Sequence, residues 1–273
     1  MKILVTGNSG YIGNHLVDLL KKQNHEVYGQ DLVDSVIDVD YFLKEDIRTG
    51  TWTEHNFDCV IHLAALVKVG ESEENPAEYY STNIDGTVKL LSKVSTKNFI
   101  FASTGVAEKC INPYGISKRA AEDCVKQYCN LLGIPYTIFR FYNVIGSTVA
   151  PATNPDGLFF NLVKARLTGK FNLYGTDYDT IDGSAIRDYV HVEEICHAIL
   201  QAVSQPSNSI ENLGHGQGYS VRQIIDLFKI VNGIDFEIID TPRRKGDLEV
   251  SVLDHPSTYM PKLYTIEDML RIK

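Results

Sequence analysis

The sequence predicts an α/β chain: a doubly wound parallel sheet with a smaller C-terminal α/β region over one edge of it. Three observations lead there. Over the first half, apolar runs alternate with segments of helical period. Those apolar runs are nearly continuous, which marks strands buried on both faces. After Gly146, turn signals crowd together and the elements shorten.

The elements follow in order. Residues 2–6 predict a first strand. Residues 11–23 predict a helix with Ile12, Leu16, Leu19 and Leu20 on one face. A second strand covers 26–30, and a third, weak one ends before Asp46-Ile47. The 59–64 run is an apolar strand. Helix 76–94, strand 98–103, helix 113–132 and strand 136–141 complete the alternation. Right-handed crossovers make this an open sheet. Beyond it, Pro151, Asn154-Pro155-Asp156-Gly157, Asp182-Gly183 and the glycine-rich 214–218 run mark a region over the carboxyl edge of the strands, where such sheets bind ligands. The 214–218 run follows no nucleotide-binding strand and reads as a structural loop. The expected division is residues 1–150 and 151–273, with about 185–215 returning to the first part.

With 273 residues, the chain can bury a large core without disulfides or structural metal. Its net charge of −9 argues against non-specific binding to nucleic acid or an anionic membrane. Arginines clustered locally can still hold an anionic substrate. Five cysteines without CxxC spacing do not form a disulfide framework. Cys59, Cys124, Cys129 and Cys196 read as buried, reduced thiols of a cytoplasmic protein. No leader precedes the first strand, and no apolar run approaches the roughly 20 residues of a membrane span. His191 and His197 lack the spacing of a helical metal site, so no metal is expected.

Chemistry enters at Gly7-Asn8-Ser9-Gly10-Tyr11-Ile12-Gly13, between the first strand and the first helix. This GxxGxxG spacing is a relative of the dinucleotide fingerprint. Glycines let the backbone turn tightly and approach a pyrophosphate at the helix N-terminus. The sheet is therefore expected to be of Rossmann type. Asp31 stands at the end of the second strand, eighteen residues past Gly13. Its carboxylate can accept from ribose hydroxyls and would repel a 2′-phosphate. No Arg or Lys occurs from Gln30 to Leu43, so NAD is favoured over NADP. Asp46 and Ile47 are placed to flank the adenine.

Tyr114 and Lys118 form a YxxxK pair on one face of a helix. The ammonium would favour the ionised phenol, which otherwise titrates near 10. Ser103-Thr104 at the end of the preceding strand supplies a hydroxyl for a substrate oxygen. Thr104, Tyr114 and Lys118 are thus the candidate catalytic group.

Taken together, these residues resemble the extended short-chain dehydrogenase/reductase family. The later runs are similar to those of the UDP-galactose 4-epimerases: Val69-Gly70-Glu71-Ser72, Arg140-Phe141-Tyr142-Asn143, Gly175-Thr176-Asp177-Tyr178, the 182–192 run around Arg187-Asp188-Tyr189, and Pro242-Arg243-Arg244-Lys245-Gly246-Asp247. The resemblance implies an enzyme that epimerises a UDP-hexose at C4 through a transient 4-keto sugar. Tyr114 takes the proton of the 4-hydroxyl, Thr104 bridges, and NAD exchanges hydride with C4. It adds Leu63, Ala64, Ala65, Lys68, Asn83, Ser103 and Tyr142 to the cofactor residues. It assigns Asn143, Leu158, Arg187, Arg244 and Asp247 to the substrate, with Tyr174 against uracil. Arginine forks suit diphosphate oxygens. It also implies a homodimer through the helices at 76–94 and 113–132.

The chain departs from that pattern in places. Val67 stands where a lysine usually contacts the cofactor ribose, and Lys68 follows one residue on. The Thr104-to-Tyr114 segment is short. So is the Asp31-to-Asp46 stretch, where a helix is expected to be missing. Ser251 aligns with the position that gates sugar size, and its small side chain would leave room for an N-acetyl group. Two alternatives stand beside the 4-epimerase: a nucleotide-sugar reductase or dehydratase on the same scaffold, and a non-catalytic NAD-binding regulator. Gly105-Val106 after Thr104, where a dehydratase carries acidic residues, disfavours the dehydratase.

Overall fold

The structure is a computed structural model that describes residues 1–50, 52–53, 55–146 and 157–272. The turn signals at Pro151 and Asn154-Pro155-Asp156 lie outside these residues. In chain order the first part contains β1 (Lys2–Thr6), α1 (Tyr11–Lys22), β2 (Glu26–Asp31), β3 (Tyr41–Lys44), β4 (Asn56–Phe57), β5 (Cys59–His62), α2 (Val69–Glu74), α3 (Pro76–Tyr80), a π-helical turn (Ser81–Asp85), α4 (Gly86–Lys93), β6 (Ser95–Thr96), β7 (Phe99–Thr104), a 3-10 turn (Gly105–Glu108), α5 (Pro113–Leu132) and β8 (Tyr136–Phe141). The second contains β9 (Asn143–Ile145), α6 (Leu158–Thr168), β10 (Lys170–Tyr174), β11 (Ile186–His191), α7 (Val192–Ser204), β12 (Asn208–Leu213), β13 (Gly218–Ser220), α8 (Val221–Asn232), β14 (Glu237–Thr241), β15 (Val250–Ser251) and α9 (Ile266–Leu270).

Among the described residues, seven strands form one sheet in the order β12-β8-β7-β5-β1-β2-β3. Every pairing in it is parallel. β5, β7 and β8 are buried along their whole length, as continuous apolar runs require. One face packs on α1 and α7 through Leu16, Val17, Leu20, Ile195 and Ile199. Burying each such side chain is worth about 1.5–3 kcal/mol. The other face packs on α4 and α5 through Leu90, Leu91, Ala121 and Val125, with Trp52 and Phe57 at its end. A third cluster, centred on Phe159, Leu162, Phe228 and Met269, holds the C-terminal region. There β11 pairs with β9, β13 and β15, and β10 pairs with β14.

Three expectations need correction. The single helix at 76–94 is divided: α3 ends at Tyr80, a π turn follows, and α4 begins at Gly86. The wider turn lets Asn83 point inward, where it is 1% exposed. The strand at 59–64 ends at His62, because the chain must leave the sheet there to wall the ligand cleft. Cys124 is half-buried, since only part of its surface on α5 meets the core; the other three cysteines expected inside are buried. The 31–46 stretch carries no helix, as its length suggested. The 214–218 run is a structural loop: the Asp188 carboxylate accepts from the amides of His215, Gly216 and Leu253. Among the described residues no helix is long and apolar enough to cross a membrane. None of their His, Cys, Asp and Glu side chains group as a metal site.

Candidate active site

The strand order reverses at β1, between β5 and β2, and a crevice opens there at the carboxyl ends of the strands. Its floor is the glycine turn. Gly7 has φ +74, and a Cβ on it would lie 2.7 Å from the Ala64 nitrogen. A Cβ on Gly13 would lie 2.1 Å from the Gly7 oxygen, so the turn closes only with glycine at both positions. Gly10 caps α1 without a side-chain bond, which leaves the first amides of the helix unspent. These features fit the pyrophosphate of a dinucleotide.

Asp31 lies beside the turn. One of its oxygens accepts from the Ser9 amide at 3.0 Å, the other from Leu32 at 2.7 Å and Val33 at 3.3 Å. A carboxylate has about four acceptor positions, so one remains for a ribose hydroxyl. Lys44, the first lysine or arginine after Asp31 in sequence, is tied to Asp34 at 2.8 Å. Arg48 clamps Asp46 and also reaches Glu78 at 2.8 Å, which fixes this end of the crevice.

The crevice continues into a cavity of about 1300 Å³. A single small ligand typically occupies 300–1,000 Å³, so this volume suits two ligands end to end. Apart from Asn83, every residue expected from the sequence to contact cofactor or substrate lines this one cavity. Asn83 stands behind the wall. Its side chain accepts from the Leu66 amide at 2.9 Å and donates to the Leu66 carbonyl and the Ser117 hydroxyl. It therefore shapes the Leu63–Lys68 wall and does not face the cavity. Val67 and Lys68 both line that wall.

Tyr114 and Lys118 are 9% and 3% exposed. Burial pushes the phenol up to about 12, while the Thr104 hydroxyl pulls it back. Burial also lowers Lys118 to about 7, opposed by the nearby Glu122 carboxylate. The ammonium stands over the Phe101 ring at 4.2 Å. The sequence suggested a phenol already eased toward ionisation. The resting pair is instead pushed toward its neutral forms, because both groups lose water. The Ser103 hydroxyl is directed to Glu122, to which it donates at 2.5 Å. Asn112 caps α5 by accepting from Gly115 at 2.8 Å and so sets the helix that carries Tyr114.

At the far end, Arg187 on β11, Arg244 and Asp247 line the cavity together. Burial raises the Asp247 carboxyl, and the two guanidiniums pull it down. The Arg244 guanidinium lies 4.0 Å over the Tyr174 ring. A base stacked on Tyr174 must displace it or use the other ring face. Arg243 is bound away, over Tyr178 and onto Asp177. Ser251 pairs with Arg187 across β15 and β11.

Sequence reasoning missed Glu122 and Glu108 and gave Arg140 no role. Glu122 lies one helical turn past Lys118, a spacing that could have revealed it.

Residues 3–214 match the NAD dependent epimerase/dehydratase family. The chain belongs to that family. A curated relative of this epimerase/dehydratase, UDP-glucose 4-epimerase of Lactobacillus helveticus, is 32% identical over 316 residues, covering 99% of this chain and 95% of its own. UDP-glucose 4-epimerase from Bifidobacterium longum, solved in complex with NAD+ and UDP, has a TM-score of 0.88 at 26% identity and covers 99% of this chain and 96% of that one. The enzyme from Thermotoga maritima, solved with UDP-glucose, has a TM-score of 0.84 at 32% identity, with the same coverages.

Proposed function

We propose that this epimerase/dehydratase is a UDP-hexose 4-epimerase that uses NAD. One observation carries the reading: a single cavity joins the glycine turn, the Thr104-Tyr114-Lys118 group and the Arg187-Arg244-Asp247 cluster. The similar proteins named above are UDP-glucose 4-epimerases and support it. Gly7, Gly10, Tyr11, Ile12, Gly13 and Asp31 would hold the cofactor, with Asp46 and Ile47 at the adenine. When bound, NAD supplies the acceptor and donor of hydride at the sugar C4. Ionised to the phenolate, Tyr114 takes the 4-hydroxyl proton onto its oxygen and later returns it. Thr104 holds that oxygen, and Lys118 steadies the phenolate. Arg187 and Arg244 grip the diphosphate and Asp247 a ribose, so the sugar can turn while its handle stays fixed. Leu158, Asn143 and Tyr174 line the nucleotide end. Ser251 is small, which favours room for an N-acetyl group.

In this reading residues 1–150, with α7 and β12 returning to their sheet, make the cofactor half, and the rest of 151–273, including β11 with Arg187, makes the nucleotide-sugar half. Free cysteines agree with a cytoplasmic setting. Tyr80, Val88 and Ile116, exposed on α3, α4 and α5, agree with a homodimer through those helices. Sedimentation at micromolar concentration should give a dimer; a strict monomer refutes that part.

The protein with NAD is offered UDP-glucose, UDP-galactose and their N-acetyl counterparts, and the sugar C1 proton is followed by NMR. The expected outcome is interconversion of C4 epimers without net NADH, abolished in Tyr114→Phe. No conversion of any of the four overturns the reading.

A further inference from the structure

We propose that Glu108, Arg140 and Glu122 form a positioning cluster that sets the Thr104 hydroxyl against Tyr114 and Lys118, with Glu108 pinning the short turn between them. Arg140 is the hub. On β8 it is 7% exposed, and one edge of its guanidinium meets both Glu122 oxygens, at 2.9 and 2.7 Å. Its other edge reaches Glu108 at 2.7 Å. Glu122 is fully buried on α5, the helix of Tyr114 and Lys118, and takes the Ser103 hydroxyl next to Thr104. Glu108 closes the 3-10 turn that begins after Thr104, and also accepts from Asn212 on β12 at 3.2 Å. One guanidinium thus indexes three elements: the strand end, the turn and the catalytic helix.

The turn has little slack. Thr104 accepts from the Val106 amide at its entry. A Cβ on Gly105 would lie 2.9 Å from the Tyr142 ring, and one on Gly115 2.9 Å from the Val106 oxygen. Glu108 is half outside, with 41% of its side chain exposed, so its replacement leaves the buried Arg140–Glu122 pair intact.

The inference rests on the proposed reaction, so one readout does not depend on turnover. Hydrogen exchange across residues 99–113 should quicken in Glu108→Ala and return toward wild type in Glu108→Gln, which keeps an acceptor for Arg140. With the UDP-sugar that wild type converts, Glu108→Ala should lower kcat about tenfold, since small misplacements of a catalytic group are costly, and leave KM within about twofold. Glu108→Gln should recover most of kcat. Unchanged exchange in Glu108→Ala overturns the proposal, as does a change in KM alone. A wild type that converts no UDP-sugar sinks the reaction while the exchange comparison still decides the cluster.

Discussion

At the scale of single residues, the site depends on a few side chains and on two missing ones. Gly13→Ala puts a methyl group within 2.1 Å of the Gly7 oxygen. The turn must open, and NAD retention on a desalting column should be lost even where the fold survives. The phenol of Tyr114 titrates near 12, above its ordinary 10, because burial penalises the anion. The folded protein therefore keeps that proton when the unfolded chain has released it. This contribution to stability is complete below pH 10 and disappears as pH rises toward 12. In NAD-free protein, the tyrosinate difference spectrum between wild type and Tyr114→Phe should stay flat up to pH 10. A tyrosinate signal near neutrality would contradict it. Lys118 runs the other way: burial lowers it from 10.5 to about 7, so protonation on acidification costs the folded state across that window. Lys118→Met should raise the Tm more at pH 6 than at pH 10 in calorimetry, while turnover is lost. These shifts could not be read from spacing. YxxxK gives the pair, but the sign of each shift depends on how much water the fold removes.

At the scale of elements, the long α5 and strands β1 and β8 were legible to the residue or nearly so. α5 has Asn112 and Pro113 at its start and Gly133, at φ +66, after its end. The divided helix was not legible. Nothing in the composition of 76–94 announces a π turn; its cause is a partner distant in sequence, the Leu66 backbone that Asn83 satisfies. Asn83→Ala leaves both half-buried Leu66 groups without that partner, each at a cost below the about 1–3 kcal/mol of a fully buried group. Calorimetry should show that loss, and titration should show weaker NAD binding, because the 63–68 wall loosens. Normal NAD affinity in a destabilised Asn83→Ala would separate the wall from the cofactor.

For the molecule as a whole, continuous apolar runs and right-handed crossovers were enough to foretell a parallel sheet. The candidate site was legible because glycine, aspartate and YxxxK mark places that such a sheet brings together. The buried Arg140 cluster was hidden, since Glu108, Glu122 and Arg140 meet only when β7, β8 and α5 are assembled. The seventh strand joins late: β12 comes from residues 208–213 and covers the outer edge of β8. During synthesis β8 therefore waits, an uncovered template of backbone donors and acceptors, for roughly seventy more residues to leave the ribosome. A chain ended at Gly146 should collect in inclusion bodies, whereas one ended after α7 and β12 should keep more of the half-molecule in solution.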